Sequence, residues 1–301
     1  MTTLKLGTRK SLMATTQSQL VADALSQATG HAVELVGVTT EGDVSKALLA
    51  QIGGTGVFVN ALRDRLLSGE VDFAVHSLKD LPTGPAEGIA LAATPRRDDP
   101  RDALCGPAKL ADLPGGARVG TGSPRRVAQL LALRPDLDVV PIRGNADTRL
   151  RKVTDGELDA VVLAYAGLNR IGRTGEVAEV FEPEHMLPSP GQGSLALECR
   201  ADKPDLIEVL GTVDDPATRA AVTAERTVLA VLEAGCSAPV GAYAAEVEQK
   251  LRLTAAVVAH DGSRQLRLSV SGHPNRAEEL GRELASRLLD QGADQLMGER
   301  P

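Results

Sequence analysis

Arg118-Val-Gly-Thr-Gly-Ser-Pro-Arg-Arg-Val-Ala-Gln-Leu-Leu-Ala-Leu133 is the stretch that decides the fold. Residues 118–120 read as a short strand, a glycine-bearing turn follows, and residues 124–133 have helical periodicity. Ser123 stands at a helix N-cap position, with Pro124 at the first helical one. The same strand, turn and helix return downstream, with strands at 139–142 and 160–163 and helices at 146–153 and 165–170. They also occur upstream. Strands are expected at 4–6, 33–38, 71–75 and 89–93, and helices at 12–25, capped by Ser11, and 57–67. Two βα runs in succession predict two α/β lobes. The polar, proline-punctuated segment 94–100 is the first crossing between them, and 187–193 is the second. Residues 194–198 read as a strand that returns to the first lobe. Two crossings predict a cleft between the lobes, where ligands usually bind.

From about residue 215 the character changes. A helix at 217–233 is interrupted by Ala234-Gly-Cys236. Three runs without intervening helices, 240–247, 251–259 and 265–271, predict an antiparallel sheet, and 276–289 a closing amphipathic helix. The expected fold class is α/β: one lobe from 1–95 with 194–212, another from 99–188, and a small C-terminal α+β domain at 216–301. A length of 301 residues is that of about two average domains.

Composition narrows the function. Aromatics are only 2%, with no Trp, so base stacking is a poor mode of recognition. The net charge of −7 argues against a nucleic-acid or anionic-membrane partner. No apolar run reaches the ~20 residues of a membrane span, and the N-terminus lacks a signal-peptide core. The three cysteines, Cys105, Cys199 and Cys236, do not read as a disulfide framework; reduced thiols in the cytoplasm fit better. No familiar ligand spacing predicts a metal.

Chemistry concentrates where strands meet helices. Gly7-Thr-Arg9-Lys-Ser11, Gly120 to Arg126, and Arg143-Gly-Asn145-Ala-Asp-Thr-Arg149 each set arginine beside a helix start. Helix N-termini and guanidinium forks both favour carboxylate or phosphate. Residues 118–173 carry ten Arg or Lys against six Asp or Glu, a cationic focus in an acidic chain. Such a focus suits a small polyanion, although any single arginine could equally be solvated surface. Val75-His-Ser77-Leu-Lys79-Asp80-Leu-Pro82 places Ser77, Lys79 and Asp80 after a strand. Pro82 biases Leu81 to extended geometry, so this segment is expected to be a loop rather than a helix. Asp80 is a candidate counter-ion to a cationic intermediate, or else an ordinary ion pair. Cys236, on a Gly/Pro-framed loop, is a candidate nucleophile or attachment point, or else a small apolar residue. Cys199 sits in a strand and Cys105 near a strand start, both as core residues. The glycine-rich stretch 42–56 is expected to be a mobile lid.

Arg9 with Ser11, the runs 76–80, 120–126, 143–150, 163–170 and 190–193, and Gly235-Cys236 stand in the order and spacing of the porphobilinogen deaminase family, which this chain resembles from about residue 4 to 292. The resemblance implies two lobes like those of type II periplasmic binding proteins and a transferase that condenses four porphobilinogens into hydroxymethylbilane, releasing ammonia. It implies a dipyrromethane cofactor, thioether-linked to Cys236, and a monomer acting on porphobilinogen and the growing oligopyrrole. Asp80 matches the catalytic aspartate. Lys79, Asp80, Ser77, Thr121, Ser123, Arg125, Arg126, Arg143 and Gly144 match cofactor-binding positions. Arg9, Ser11, Arg149, Arg170, Gln192 and Phe58 match substrate-binding ones. The chain departs from the family at Gln51 and Thr55, where lysines are frequent, and at Gly122, Ala234 and Ala238. A two-lobed anion-binding protein without catalysis is the other reading; it would leave Asp80, Cys236 and the third domain without a task.

Overall fold

The computed structural model describes residues 3–38, 56–235 and 238–298. Cys236, Gln51, Thr55 and all of the expected lid except Gly56 lie outside the described residues. In chain order the elements are β1 (Leu4–Arg9), α1 (Leu12–Thr29), β2 (Val33–Val38), α2 (Gly56–Leu67), β3 (Phe73–Ser77), β4 (Ile89–Ala93) and β5 (Asp102–Cys105). Next come β6 (Arg118–Gly120), α3 (Pro124–Leu133), β7 (Asp138–Val140), α4 (Ala146–Thr154), β8 (Ala160–Ala164), α5 (Tyr165–Arg170) and β9 (Val177–Val180). The chain finishes with β10 (Leu195–Arg200), α6 (Pro204–Gly211), α7 (Pro216–Val231), β11 (Val240–Val247), β12 (Lys250–Val258), β13 (Gln265–Gly272), α8 (Ala277–Asp290) and α9 (Ala293–Met297). They form two compact units, Met1–Asp98 with Ser194–Arg219, and Asp99–Gly193 with Ala220–Pro301.

The first unit holds a five-stranded sheet in the order β2-β1-β3-β10-β4. β1 is parallel to β2 and β3, while β10 runs antiparallel to β3 and β4. The expected returning strand is therefore observed. Alternation divides the sheet into two faces. Phe73 and Val75 pack with Val21, Ala22 and Leu25 of α1. Ala74, on the opposite face, packs with Leu62 and Leu66 of α2. α1 starts where Ser11 Oγ accepts from Ala14 N–H, and it ends at Gly30, whose φ of 73° closes the helix in the left-handed region.

The second unit repeats that plan in a sheet ordered β7-β6-β8-β5-β9, with the same sequence of two parallel and two antiparallel pairings. β9 was not expected from the sequence, and β5 was expected only as a strand starting near Cys105, where it in fact ends. β5 has four residues and opens on a charged one, so no apolar alternation announces it. β11, β12 and β13 form the expected antiparallel sheet. Its inner face packs against α7, α8 and α9 through Ala242, Leu253, Val257, Leu284 and Leu288. Part of its outer face, Ala256 and Val258, packs on Ala128 of α3 and Leu187. Two glycines allow this close approach. A Cβ on Gly262 would lie 2.4 Å from Ala132 N, and one on Gly241 would lie 2.7 Å from Leu187 Cβ.

Candidate active site

In the first unit, functional groups gather at the carboxyl ends of β1 and β3. Arg9 closes β1, and Ser11 caps α1. Ser77 closes β3, where its Oγ donates to Oε1 of Gln17 at 3.2 Å. The chain then makes a 3₁₀ turn over Leu78–Asp80, where a loop was expected. Leu81 is extended, with φ −80° and ψ 134°, as Pro82 demands. The turn is pinned by Leu78 N–H donating to Ser194 O at 3.0 Å. Asp80 ends it exposed, and its carboxylate forms no ion pair or side-chain hydrogen bond among the described residues. Phe58 lies in the first turn of α2.

In the second unit the arginines divide into two groups. Arg125 and Arg126, at the start of α3, are buried, with relative exposures of 4% and 6%. Both reach Asp102, which is wholly buried at the start of β5. Arg125 Nη1 donates to Asp102 Oδ2 at 2.7 Å and to Leu187 O at 2.6 Å. Arg126 donates to Asp102 Oδ1 through Nε at 3.0 Å and Nη2 at 2.7 Å, and to Val162 O through Nη1 at 2.8 Å. Gln192, also buried, donates to Asp102 Oδ1 at 2.8 Å and to Pro100 O at 2.7 Å. Burial alone would raise the Asp102 pKa. The two guanidiniums beside it overturn that and hold it well below the usual carboxylate range. Much of the hydrogen-bonding capacity expected to face a ligand is thus spent inside the protein.

Arg143 and Arg149 are arranged differently. Arg149 Nε donates to Gly144 O at 2.8 Å, and neither arginine pairs with a carboxylate among the described residues. Burial, then repulsion from Arg126 and Arg143, lowers the Arg149 pKa to about 10. The neighbouring positive charges are the second part of that cause, and an anion would relieve them. Gly144, at φ 108°, makes the turn: a Cβ there would lie 2.9 Å from Thr148 Cβ. Asn145 Oδ1 caps α4 by accepting from Thr148 N–H at 2.9 Å, as expected. Ser123 occupies the N-cap position of α3, but its side chain makes no cap bond; its N–H donates to Oγ1 of the buried Thr121 at 3.3 Å. Gly122 passes Ile142 O so closely that a Cβ would lie 2.7 Å away. Arg170 donates to Gly193 O at 2.7 Å.

Cys105 and Cys199 are buried free thiols, and Cys105 closes β5 rather than opening a strand. Desolvation pushes Cys105 up to about 12 and Cys199 up to about 11, so neither is a nucleophile near neutral pH. Gly235 and Ala238 frame Cys236, with Ala238 N–H donating to Gly235 O at 3.1 Å. Sequence reasoning missed Asp102, Gln17 and Glu225. Glu225 is fully buried on α7, where it accepts from Gly191 N–H at 2.7 Å and Ala244 N–H at 2.8 Å. Asp102 closes the charged run 96–102, so nothing in the sequence sets it apart, whereas Glu225 is marked only as a carboxylate among the mostly apolar residues of α7.

Residues 4–208 match the family model described as porphobilinogen deaminase, dipyromethane cofactor binding domain. Residues 219–290 match the one described as porphobilinogen deaminase, C-terminal domain. The chain is 62% identical to the porphobilinogen deaminase of Thermobifida fusca, over 99% of this chain and 97% of that one. It is 58% identical to porphobilinogen deaminase 1 of Streptomyces coelicolor, over 99% and 98%. Among solved structures, an ABC transporter periplasmic substrate-binding protein from Coxiella burnetii is similar at a TM-score of 0.45 and 14% identity, over 72% of this chain and 94% of that one.

Proposed function

The chain belongs to the porphobilinogen deaminase family, and from that premise we propose how its own residues perform the family's reaction. The protein is a hydroxymethylbilane synthase, a transferase of tetrapyrrole biosynthesis. It condenses four porphobilinogens head to tail and releases ammonia. Relatives of this kind do not favour the non-catalytic binding protein.

The matched first region is a dipyrromethane cofactor-binding domain, and the residues present suit such a group. Dipyrromethane carries several carboxylates, and the excess positive charge around Arg126, Arg143 and Arg149 is the complement they need. When bound, the cofactor supplies the primer to which substrate units are added. Cys236 would hold it through a thioether. Support comes from the two other cysteines, whose burial keeps them protonated. Arg143 and Arg149 orient carboxylates, joined by Arg125 and Arg126 as far as Asp102 leaves them donors. Thr121, Ser123 and Gly144 line the same strand ends, while Gln192 holds Asp102 in place. Arg9, Ser11, Ser77, Lys79, Phe58 and Arg170 act on substrate and cofactor side groups.

Asp80 is the catalytic carboxylate. It receives pyrrole N–H hydrogen bonds, stabilises the cation left by loss of ammonia and accepts the proton released after each coupling. The observation that carries this is its isolation. Asp102 and Glu198 are buried against arginines, while Asp80 is exposed on a pinned turn, its carboxylate without a partner among the described residues. Asp80→Asn keeps the shape and loses the charge. Hydroxymethylbilane formation should fall on the order of a hundredfold, if one electrostatic contact supplies ~3 kcal/mol, with the cofactor mass still present. Near-normal turnover would move the role to another group. We further infer three domains, 1–95 with 194–212, 99–188 and 216–301, supported by three separate sheets. The enzyme works as a single chain in the cytoplasm on small anions, a reading supported by its net charge of −7 and sparse cysteines. Among the described residues no helix is long and apolar enough to cross a membrane.

A further inference from the structure

β3 carries His76 on the face opposite Ser77. Glu198 pairs across to Ala74 on the neighbouring β10, so Glu198, Ala74 and His76 share the face covered by α2. There Arg63 of α2 grips Glu198 with both arms of its fork, Nε to Oε2 at 3.0 Å and Nη2 to Oε1 at 2.6 Å. His76 Nε2 lies 3.3 Å from Glu198 Oε2, an approach without hydrogen-bond alignment, and that nitrogen has no other partner. The carboxylate is 3% exposed and the imidazole 7%. Burial would raise the Glu198 pKa, but His76 and Arg63 bring it down to about 2, so it is ionised throughout the working range.

We propose that Glu198, clamped by Arg63, is a positioning residue that holds His76 and through it the turn carrying Asp80. Asp80 has no side-chain partner among the described residues, so its carboxylate is aimed by the backbone beneath it. That backbone is anchored by Leu78 N–H on Ser194 O and, on one face of β3, by Ser77 on Gln17. On the other face, beside Ala74 packed under α2, His76 meets Glu198, and Leu78 of the turn is wholly buried. Loss of the contact between His76 and Glu198 removes one of the holds on the strand end that carries the turn, and a displacement of about 1 Å at a reacting group can cost on the order of a hundredfold in rate. Arg63 acts one step further back: it fixes the rotamer of Glu198 and keeps its buried charge compensated.

This rests on the reading of Asp80 as the catalytic carboxylate, so Asp80→Asn is assayed in parallel. The holoenzymes compared are Glu198→Gln, Arg63→Met, Arg63→Lys and the double variant Arg63→Met with Glu198→Gln, each checked for cofactor by intact mass. The expected result is a kcat lowered roughly tenfold in Glu198→Gln and Arg63→Met, with KM for porphobilinogen within about twofold of wild type. The double variant should be no slower than Glu198→Gln, because the two residues act in series. Arg63→Lys, which keeps the charge, should recover part of the loss. Unchanged kcat overturns the proposal. So does a raised KM at normal kcat, an additive double variant, or a loss that follows only the fraction of folded, cofactor-bearing protein. Wild-type turnover in Asp80→Asn would refute the reading of Asp80 itself. An inactive Asp80→Asn beside normal Glu198 and Arg63 variants would refute the positioning role alone.

Discussion

Arg125 and Arg126 are neighbours in sequence, and each takes one oxygen of the same carboxylate, Asp102. Two guanidiniums at the buried start of α3 can remain charged only if such a partner is present. Asp102→Asn keeps the shape and removes the charge, leaving both arginines buried and uncompensated. The expected cost is about 3–5 kcal/mol, read as a lowered urea midpoint. A variant as stable as wild type would mean that water or another group already compensates the pair. The cysteines give a second test at this scale. Intact mass should show the cofactor adduct in Cys105→Ala and Cys199→Ala and none in Cys236→Ala. An adduct that survives Cys236→Ala would displace the attachment point. The arginines were legible in the sequence because they stand beside a helix start. Asp102 was not, since it lies 24 residues before Arg126 on a strand the sequence reading started only near Cys105, and meets it only when β5 pairs with β8.

α3 is fixed from two directions. Its N-terminus is held by Asp102 through the two arginines, and its C-terminal half lies under the β12–β13 turn. Gly262 in that turn has φ 74°, and a Cβ there would meet Ala132 N at 2.4 Å and Leu131 C at 2.6 Å. Gly156 has nearly the same backbone, φ 75°, with nothing within 4 Å of a Cβ. The pair separates conformation from collision. Gly156→Ala should lose only the left-handed penalty, about 1–2 kcal/mol. Gly262→Ala should lose more than that and should also weaken carboxylate binding, because α3 must shift. Thermal unfolding of both variants decides it; equal losses would mean that the turn yields without moving the helix. α4 depends on local chemistry instead. Asn145→Ala removes the bond to Thr148 N–H and should cost about 0.5–2 kcal/mol.

For the whole molecule, two of the buried carboxylates, Glu198 and Asp102, shape the response to acid. Glu198 falls from an ordinary 4.5 to about 2 on folding, and Asp102 falls below its ordinary value as well. A carboxyl with a depressed folded pKa adds stability above its unfolded value and loses it as pH falls towards the folded one. The protein should therefore hold its urea midpoint above pH 4.5 and lose it progressively below. Glu198→Gln should flatten part of that slope. A wild-type midpoint independent of pH between 4.5 and 2 would contradict the ion-pair account.

Most of the strand and helix order in the lobes, and the C-terminal sheet, was determined by the sequence alone; β9, α6 and α9 were not. It rests on apolar period, caps and prolines, which act within a few residues of themselves. So was the family, because seven motifs in one order leave little to chance. The conformation of Asp80 was half legible: Pro82 foretold the extended Leu81 but not the 3₁₀ turn before it. Only the tertiary structure decided which charges are spent and which are available. Arg125, Arg126 and Gln192 turn inward to Asp102, Arg63 turns to Glu198, and Arg143 and Arg149 pair with no carboxylate among the described residues. The physical reason is that a guanidinium's partner is set by which strands pair and which helix covers them. Arg63 and Glu198 are separated by 135 residues, so nothing in their local sequence records the contact.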